Sequence, residues 1–548
     1  MTSNKHIPRQ TIEPPGLSVP YGRALLMPLV SGVLLFLSFP KFGLGIFAWA
    51  ALVPLLLALK NCRPGAAMRR GFITGLVFNI GLLYWISYVV VHYGYMPLYM
   101  GIGATLLLAC YLAFYFAAFA SGVAWFEQRG IPQILSAPLL FTCLEYVKSQ
   151  LLTGFPWENL AYSQYLSIRL IQIADVTGIY GLTFLIVLVN VVMADLIGRF
   201  KTGCRGEPAF RRIAVAAALS AALVIGVTVY GSLRLAQIDK ALEGAKEMTL
   251  ALIQGNIEQD IKWNPLYQQG TLAVYRSLSL GAAAAKPELI IWPETATPFY
   301  FQDIDDLHRE VLDITKKSGT SLLFGSPSYQ TKGGVTTFYN SAFLLSPSGV
   351  LSDRYDKVHL VPFGEYVPLR RLFPFMSKIV VGIGDFGSGK GYEPLSFPGF
   401  RPGILICYEA IFPAAARTYK RRGADLLVNI TNDAWFGRTS APYQHLSMTA
   451  FRAVENRLFA ARAANTGISA IIDPAGRIVS QTGLFQRTAL TGKVKFIDIK
   501  TCYTTYGDVF VYLCSGVLVC LLIISLMKRR TNHAGKIARN HYGPPLEN

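Results

Sequence analysis

The stretch Gly403-Ile404-Leu405-Ile406-Cys407-Tyr408-Glu409 predicts a short buried β-strand that ends in a cysteine and an acid. Short apolar runs rich in β-branched residues are typical of strands. More such runs occur between 248 and 500, and they alternate with predicted helices near 264–285, 303–318, 412–422 and 442–464. Alternating strands and helices favour an α/β domain whose sheets are covered by helices.

Two more reactive side chains lie at predicted strand ends of this domain. Glu294 follows the strand 288–292, and Lys357 lies near the end of the strand 354–359. Active groups of α/β domains tend to lie at such ends, where loops can vary without disturbing the sheet. We therefore expect the three side chains to act together.

A cysteine attacks a carbonyl as a thiolate, which requires a base within reach or a nearby cation. In this scheme Glu294 accepts the thiol proton and returns it to the leaving group. Lys357 stabilises the thiolate and then the oxyanion, together with the backbone N–H that follows Cys407. Each residue alone also has a plain structural interpretation, as a small core residue, a loop acid and a solvated edge residue. Their shared position at strand ends favours catalysis.

The composition indicates that part of the chain lies in a membrane. The 548 residues are 52% hydrophobic and only 15% charged, and runs of roughly 20 apolar residues can cross a bilayer as helices. Eight such runs are predicted, near 24–40, 42–59, 71–91, 98–125, 133–147, 176–198, 213–233 and 508–527. The fifth is short and contains Glu145; without it the count is seven.

The distribution of basic residues predicts the orientation of these spans. One set of alternate loops contains 18 Lys and Arg residues and the opposite set contains three, so the basic set is expected in the cytoplasm with both termini. The predicted organisation is a cytoplasmic segment at 1–23, spans one to seven at 24–233, an extracytoplasmic catalytic domain at 234–505, the eighth span at 506–528 and a cytoplasmic tail at 529–548.

The large segment does not have the charge of a nucleic-acid-binding protein. The whole chain has a formal charge of +19, but the segment 234–505 combines 30 of the 51 basic residues with 23 acidic ones. This mild excess fits an ordinary soluble surface near anionic lipid headgroups. His359 and His445 have no Cys or carboxylate partners at metal-ligand spacing, so we expect neither a metal nor another cofactor.

Cys407 is the single cysteine within the large segment, apart from Cys502 at its membrane boundary. A lone thiol in a compartment that favours disulfides is either buried and inert or retained for its chemistry. Location alone leaves these two interpretations open.

Several segments resemble the nitrilase superfamily and, within it, the apolipoprotein N-acyltransferase family. The similar segments, in chain order, are Phe155-Pro156-Trp157 in the membrane part, Gln254-Gly255-Asn256-Ile257 with Lys262-Trp263, Trp292-Pro293-Glu294, Lys357 to Glu365, Cys407-Tyr408-Glu409 and Thr431 to Gly437. The resemblance implies an eight-span transmembrane bundle with a nitrilase-like α-β-β-α sandwich. It also implies a multi-pass protein of the bacterial inner membrane, with its catalytic domain in the periplasm.

The resemblance implies Glu294 as base, Lys357 as oxyanion-stabilising cation and Cys407 as nucleophile. It implies supporting roles for Glu365, Tyr408 and Glu409. Three aromatic residues look like mobile-loop or acyl-chain contacts, with core packing or interfacial anchoring as the alternative; these are Trp263, Trp435 and Phe436.

The activity implied is transfer of an acyl chain from a phospholipid, through a thioester on the cysteine, to the N-terminal amine of a diacylglyceryl-cysteine on an apolipoprotein. The expected partners are these two lipid substrates and membrane lipids, with no nucleic acid, and a monomer is expected. Two alternatives remain open at this point: a membrane-tethered nitrilase-type amidase, and a non-catalytic lipoprotein-binding scaffold. The number of spans disfavours a mere tether, and the intact triad disfavours a scaffold.

Overall fold

A computed structural model describes residues 21–202, 207–367 and 385–541. The chain forms a helical part and an α/β part, and the last helix returns to the helical part. The helices before the α/β part are α1 (Tyr21–Leu37), α2 (Val53–Leu59), α3 (Pro64–Leu83), α4 (Trp85–His92), α5 (Leu98–Glu127), α6 (Gln133–Gln150), α7 (Ile168–Ile171), α8 (Ala174–Thr177), α9 (Ile179–Thr202) and α10 (Glu207–Glu243).

The α/β part corresponds to the segment that the sequence predicts as an α/β domain. Its helices are α11 (Gln259–Lys262), α12 (Pro265–Ala283), α13 (Asp306–Ser318), α14 (Pro413–Arg421), α15 (Ala441–Asn456) and α16 (Cys502–Tyr506), and α17 (Val509–His541) follows. Its strands are β1 (Glu247–Gln254), β2 (Leu289–Ile291), β3 (Ser321–Lys332), β4 (Val335–Leu345), β5 (Leu351–Asp356), β6 (Pro402–Ile406), β7 (Leu426–Thr431), β8 (Phe459–Ala464), β9 (Ala470–Ile472), β10 (Ile478–Gln481) and β11 (Thr488–Lys495).

Four helices in the described part of the chain are long and apolar enough to cross a membrane. These spans are Leu98–Glu127, Ile179–Arg199, Arg211–Glu243 and Val509–Met527. Helices α3 and α4 together form a fifth if their 51° bend lies within one span. The remaining predicted spans correspond to the shorter helices Leu25–Leu37 and Gly45–Leu59 and to α6, which contains Pro138, Glu145 and Lys148. The structure therefore supports four or five spans by length and composition.

At the bend between α3 and α4, a side chain from the α/β part forms a hydrogen bond with the helix backbone. The last four carbonyls of a helix have no partner within it, and in α3 the carbonyl of Leu82 accepts a hydrogen bond of 3.1 Å from Gln444 Nε2. Gln444 Oε1 accepts from the indole N–H groups of Trp85, at 3.2 Å, and Trp157, at 2.9 Å. Gln444 lies on α15, so this buried contact joins the two parts of the molecule.

The α/β part contains two sheets with similar topology. The first has the order β11-β1-β2-β3-β4-β5, and the second has the order β10-β9-β8-β7-β6. Strands β1, β2 and β3 are parallel, as are β6, β7 and β8, while the outer pairs are antiparallel. The sheets contact each other through β1 with β8 and β4 with β6.

Alternating residues of the strands build two cores. On β2, Ile290 belongs to the core beneath α12 and α13, whereas Leu289 and Ile291 belong to the larger core shared with the second sheet. Helices α14 and α15 contact the second sheet. The layers are therefore helix, sheet, sheet and helix, as the sequence predicts, because each sheet buries apolar side chains on both faces.

The prediction of one helix over 442–464 is wrong in its second half. The helix ends at Asn456, and Phe459–Ala464 form the buried strand β8. Arg457 adopts a left-handed conformation with φ of +51° and ends the helix. Its guanidinium donates hydrogen bonds to Asp175 Oδ2, at 2.7 Å, and Gln172 Oε1, at 2.6 Å. This tertiary contact overrides the helical propensity of the alanine-rich segment.

Candidate active site

The structure brings Glu294, Lys357 and Cys407 together. Glu294 follows β2 and Lys357 follows β5, both in the first sheet, whereas Cys407 follows β6 at the edge of the second sheet. Lys357 Nζ lies 3.6 Å from Glu294 Oε1, and the charges of both groups act on the Cys407 thiol. All three residues are buried. Two sheets therefore contribute to one reactive cluster.

Lys357 is held as a cation by two carboxylates. Its Nζ also lies 2.9 Å from Glu365 Oε1, closer than to Glu294. Burial opposes the charge, but the carboxylates of Glu365 and Glu294 outweigh it and raise the pKa of Lys357 above its usual range. A buried ammonium that keeps its proton is suited to stabilising negative charge that develops beside it.

The carboxylate of Glu294 is fixed at both oxygens. Its Oε1 accepts a hydrogen bond of 2.8 Å from Asn340 Nδ2, and its Oε2 accepts one of 2.9 Å from the backbone N–H of Asn432. The loop passes so close to β3 that a Cβ at Gly325 would lie 2.7 Å from Glu294 Cα. The carboxylate of Glu294 is therefore held in a single place against the first sheet.

Cys407 begins a 3-10 turn, Cys407–Ile411, in a left-handed conformation with φ of +52°. Non-glycine residues rarely adopt this region, and it marks strain that the surroundings must maintain. Burial raises the pKa of the thiol, and Glu294 raises it further, whereas Lys357 lowers it. The resting group at neutral pH is thus the thiol, and its proton must leave as it attacks.

Glu409 links the segments that carry the lysine and the cysteine. Its Oε1 accepts from the backbone N–H groups of Val358, at 2.8 Å, and His359, at 3.0 Å, and from the Tyr355 hydroxyl, at 2.8 Å. Its Oε2 accepts from the backbone N–H of Ile406 at 2.7 Å. Burial raises the pKa of Glu409 to about 7. Its contacts make it a bridge between the strand ends.

The other residues implied by the resemblance lie toward the helical part. The hydroxyl of Tyr408 is 3.5 Å from the carbonyl of Gly154, in the loop after α6. The ring of Phe436 lies 4.9 Å from that of Trp85, and the ring of Trp435 lies 5.1 Å from that of Tyr93. Trp435 and Phe436 therefore pack against helix α4 and the loop that follows it.

Trp263 lies at the end of α11 and is 39% exposed. Its exposed ring distinguishes it from Trp292, which is fully buried in the first sheet. Trp263 is thus available for a contact outside the protein core.

The sequence analysis missed several polar residues around the triad. Asn340 Nδ2 donates hydrogen bonds to both Glu294 and Glu365. Lys262 Nζ donates one hydrogen bond of 2.7 Å to Thr295 Oγ1 and another of 3.3 Å to the carbonyl of Glu294. Burial lowers the pKa of Lys262 to about 7. Lys262 belongs to a segment that resembles the family, but the resemblance implied no role for it. Asn340 lies within a strand, where no local sequence pattern marks it as a site residue.

His445, for which the sequence predicts no metal-binding role, lies next to the peptide group of Cys407. Its Nε2 lies 3.0 Å from the carbonyl of Cys407. Within the ranges that the structure describes, no group of three or more His, Cys, Asp and Glu side chains could hold a metal ion.

Comparisons with known proteins cover both parts of the chain. Residues 31–192 match the family described as Apolipoprotein N-acyltransferase N-terminal domain, and residues 249–503 match Carbon-nitrogen hydrolase. An apolipoprotein N-acyltransferase from Geobacter metallireducens is 47% identical over 93% of this chain and 97% of its own length. The chain belongs to the apolipoprotein N-acyltransferase family.

Other members of the apolipoprotein N-acyltransferase family show the same extent of similarity. Relatives with this name from Methylococcus capsulatus and Haemophilus influenzae are each 33% identical, over 96% and 92% of this chain and 99% and 94% of their own lengths. An amidase from Nesterenkonia sp. has a similar structure with a TM-score of 0.35 and 22% identity, over 49% of this chain and 96% of the amidase. The extent of the match to the named relatives shows an acyltransferase of this family with apolar helices that fit a membrane protein, and the resemblance seen in the sequence is confirmed.

Proposed function

We propose that this chain transfers an acyl chain from a phospholipid to the N-terminal amine of a diacylglyceryl-cysteine on an apolipoprotein, with Cys407 as the nucleophile. In the first half, Cys407 Sγ attacks the ester carbonyl while the thiol proton passes to Glu294. The C–O bond then breaks, Glu294 returns the proton to the departing lysophospholipid, and a thioester remains on Cys407.

In the second half, the amine of the lipidated cysteine attacks the thioester carbonyl. Glu294 accepts a proton from the amine and delivers it to the sulfur as the C–S bond breaks, which regenerates the thiol. In both halves Lys357 and the backbone N–H of Tyr408 stabilise the oxyanion. Glu365 and Glu409 hold the surrounding segments in place.

The observation that carries this proposal is the meeting of a buried Glu294–Lys357 pair with Cys407 beside membrane helices. Both substrates are retained in the bilayer by their acyl chains, so the site must lie close to lipid. Tyr408, directly after the nucleophile, contacts Gly154 in the helical part. We assign contacts with acyl chains to the exposed ring of Trp263 and to Trp435 and Phe436 near α4.

The two alternatives differ from this proposal in their products. A tethered amidase would not need the buried contacts between α15 and the helical part, and a scaffold would not need a charged lysine beside a buried thiol. These features favour acyl transfer over both alternatives.

The test combines intact-mass measurement with product analysis. Purified protein incubated with phospholipid should gain the mass of one acyl chain on Cys407, and a diacylated lipopeptide should then become triacylated. Cys407→Ala should gain no mass and form no product. Amide hydrolysis without transfer would support the amidase, and wild-type protein without any acyl mass would support the scaffold.

We also propose eight spans, with the termini in the cytoplasm and the domain 234–505 in the periplasm, and a monomeric enzyme. The proposed eight add α1, Gly45–Leu59 and α6 to the five candidates above. Hydrogen bonds between the α/β part and the helical part support this topology. They involve loops of the helical part that are all predicted on the periplasmic side of the membrane. Examples are Gln444 with Pro40, Tyr93 with Ala434, and Gln172 with Ala475.

Labelling of single cysteines from the periplasmic side tests this topology. Cysteines introduced at Lys41 and Arg169 should react with a membrane-impermeant reagent, whereas those at Arg63 and Arg129 should react only after the membrane is opened. Labelling of Arg63→Cys in intact cells would contradict the proposed orientation. Molecular mass in detergent by light scattering would reveal a dimer.

A further inference from the structure

We propose that His445 is a positioning residue for the nucleophile, and that it holds the carbonyl of Cys407 so that the turn keeps its strained conformation. His445 lies on α15, is 1% exposed and comes from a segment 38 residues after the cysteine. This role rests on the proposed function of Cys407.

The hydrogen bonds of His445 define which ring nitrogen carries its proton. A carbonyl oxygen can only accept, so the Nε2 that lies 3.0 Å from Cys407 O must donate. On the opposite side, Nδ1 lies 3.2 Å from Arg462 NH2, which can only donate, and 3.3 Å from Asp433 Oδ1, which can only accept. Both arrangements require the proton on Nε2, and with Nδ1 accepting from Arg462, the closer group, the imidazole is neutral.

The charges around His445 support this neutral tautomer. Burial and the adjacent Arg462 lower the pKa of His445, although Asp433 acts in the opposite direction. Asp433 is itself paired with Arg462, at 2.6 Å between Oδ2 and NH2. Burial opposes its charge, but Arg462 outweighs burial, and the pKa of Asp433 falls to about 2. The ion pair thus fixes the imidazole from behind and leaves its Nε2–H for Cys407.

The conformation of Cys407 gives this hydrogen bond its importance. A left-handed non-glycine residue is strained and persists when its surroundings impose it. The next side-chain donor near the same carbonyl is Asn429 Nδ2, at the longer distance of 3.5 Å. His445 is therefore the principal side chain that fixes the peptide group of the nucleophile.

The neighbouring residue fixes α15 itself. Gln444 extends into the helical part and bonds Trp85 and Trp157, while His445 extends toward Cys407. Consecutive residues of one helix turn thereby connect the membrane helices to the nucleophile. This arrangement keeps the imidazole at a fixed distance from the turn that it supports.

The test compares His445→Leu with His445→Gln and His445→Asn. A glutamine amide reaches the position of Nε2 and can donate to Cys407, whereas the shorter asparagine cannot. We expect His445→Leu and His445→Asn to slow acylation of Cys407 by phospholipid about 10- to 100-fold. His445→Gln should stay within about fivefold of wild type, and KM for the lipopeptide should not change.

A second readout does not depend on acyl transfer. The rate at which iodoacetamide alkylates Cys407, followed on its peptide by mass spectrometry, should fall in the same order among the variants. If wild-type protein is alkylated but never acylated, the proposed function fails while the positioning role is still tested.

His308→Leu is the matched control. His308 also contacts a carbonyl, that of Phe301, at 2.6 Å, but it lies on α13 away from the triad. Its variant should lose thermal stability without slowing alkylation of Cys407. Should His445→Leu fail to fold, the comparison of His445→Gln with His445→Asn decides. Equal rates for these two variants, or a wild-type rate for His445→Leu, would overturn the proposal.

Discussion

The ammonium group of Lys357 lies 2.9 Å from the carboxylate of Glu365, and in this ion pair the lysine is buried and the glutamate side chain is 13% exposed. Glu365 Oε2 also accepts a hydrogen bond of 2.8 Å from the backbone N–H of Val361. The pair therefore fixes the lysine relative to the loop that follows it. It also shares the positive charge of Lys357 between two carboxylates, which leaves Glu294 freer to act as a base.

Replacing Glu365 should slow turnover without removing the nucleophile. In Glu365→Ala, Lys357 pairs with Glu294 alone, which weakens that base, and Val361 loses its acceptor. We expect kcat to fall about 100-fold, while acyl-enzyme still forms slowly. Steady-state kinetics with a lipopeptide measure this change. Glu393→Ala removes an exposed partner of Arg422 and is the control; equal effects of the two substitutions would refute the role of Glu365.

Replacing Lys357 should prevent formation of the acyl-enzyme. Lys357→Met leaves two buried carboxylates without their cation and removes the oxyanion partner, so we expect acylation to fall by about 1000-fold or more. Lys357→Arg should not restore it, because a planar guanidinium does not fit the space of an ammonium group. Intact mass after brief incubation with phospholipid is the measurement. Lys317→Met, at an exposed pair with Asp313, should acylate normally.

The lowered pKa of Lys262 predicts a pH dependence of stability. Folding lowers this pKa from 10.5 to about 7 through burial. Between pH 7 and 10 the unfolded chain therefore holds a proton that the folded chain has released, so stability rises with pH in this window. Thermal unfolding in detergent should show wild type gaining stability relative to Lys262→Met from pH 7 to pH 10. Parallel curves for the two proteins would mean that Lys262 keeps its normal pKa.

Glu158 should be replaceable by glutamine with a gain in stability. Glu158 is 1% exposed. Its Oε1 accepts a hydrogen bond of 2.8 Å from the hydroxyl of Ser447, and its Oε2 has no hydrogen-bond partner among the described residues. Burial raises the pKa of Glu158 well above its usual value. The folded form therefore retains a proton that the unfolded chain loses above about pH 4.5.

Because retaining this proton makes folding less favourable as the pH rises above about 4.5, Glu158→Gln should raise the unfolding temperature at pH 7 more than at pH 4. Differential scanning fluorimetry in detergent is suitable. Glu310→Gln, at a partly exposed pair with Arg276 on the first sheet's outer helix, provides the comparison. A lower unfolding temperature for Glu158→Gln at pH 7 would show that its charge is needed.

The triad could be predicted because each member follows an apolar strand and carries its chemistry in its residue type. The meeting of Cys407 with the other two required knowledge of sheet pairing, since β6 belongs to a different sheet from β2 and β5. Asn340 could not be found, because a polar residue within a strand usually faces solvent. Its burial follows from the neighbouring strands of the first sheet.

Two features were not predicted correctly from local sequence patterns: the strand β8, which was predicted as helix, and the number of helices long and apolar enough to span a membrane. The segment Phe459–Ala464 has helical composition, and the contacts of Arg457 with Asp175 and Gln172 explain why the helix stops before it, while pairing with β7 and β9 makes the segment a strand. In the membrane part, α6 carries Glu145 and Lys148 within an apolar run. The carboxylate of Glu145 accepts hydrogen bonds from the backbone N–H of Leu160 and the hydroxyl of Thr183, so it is satisfied inside the helical part.

The bend between α3 and α4 has a consequence for the biogenesis of the protein. Leu82 obtains its partner from Gln444, which the ribosome adds 362 residues later. Until then, a nascent bundle contains a polar defect that hydrocarbon cannot satisfy. Insertion into the bilayer is therefore only the first stage of maturation, and the bundle reaches its final packing when the α/β part folds against it. The helical part or the α/β part produced alone would therefore lack the contacts that complete its packing.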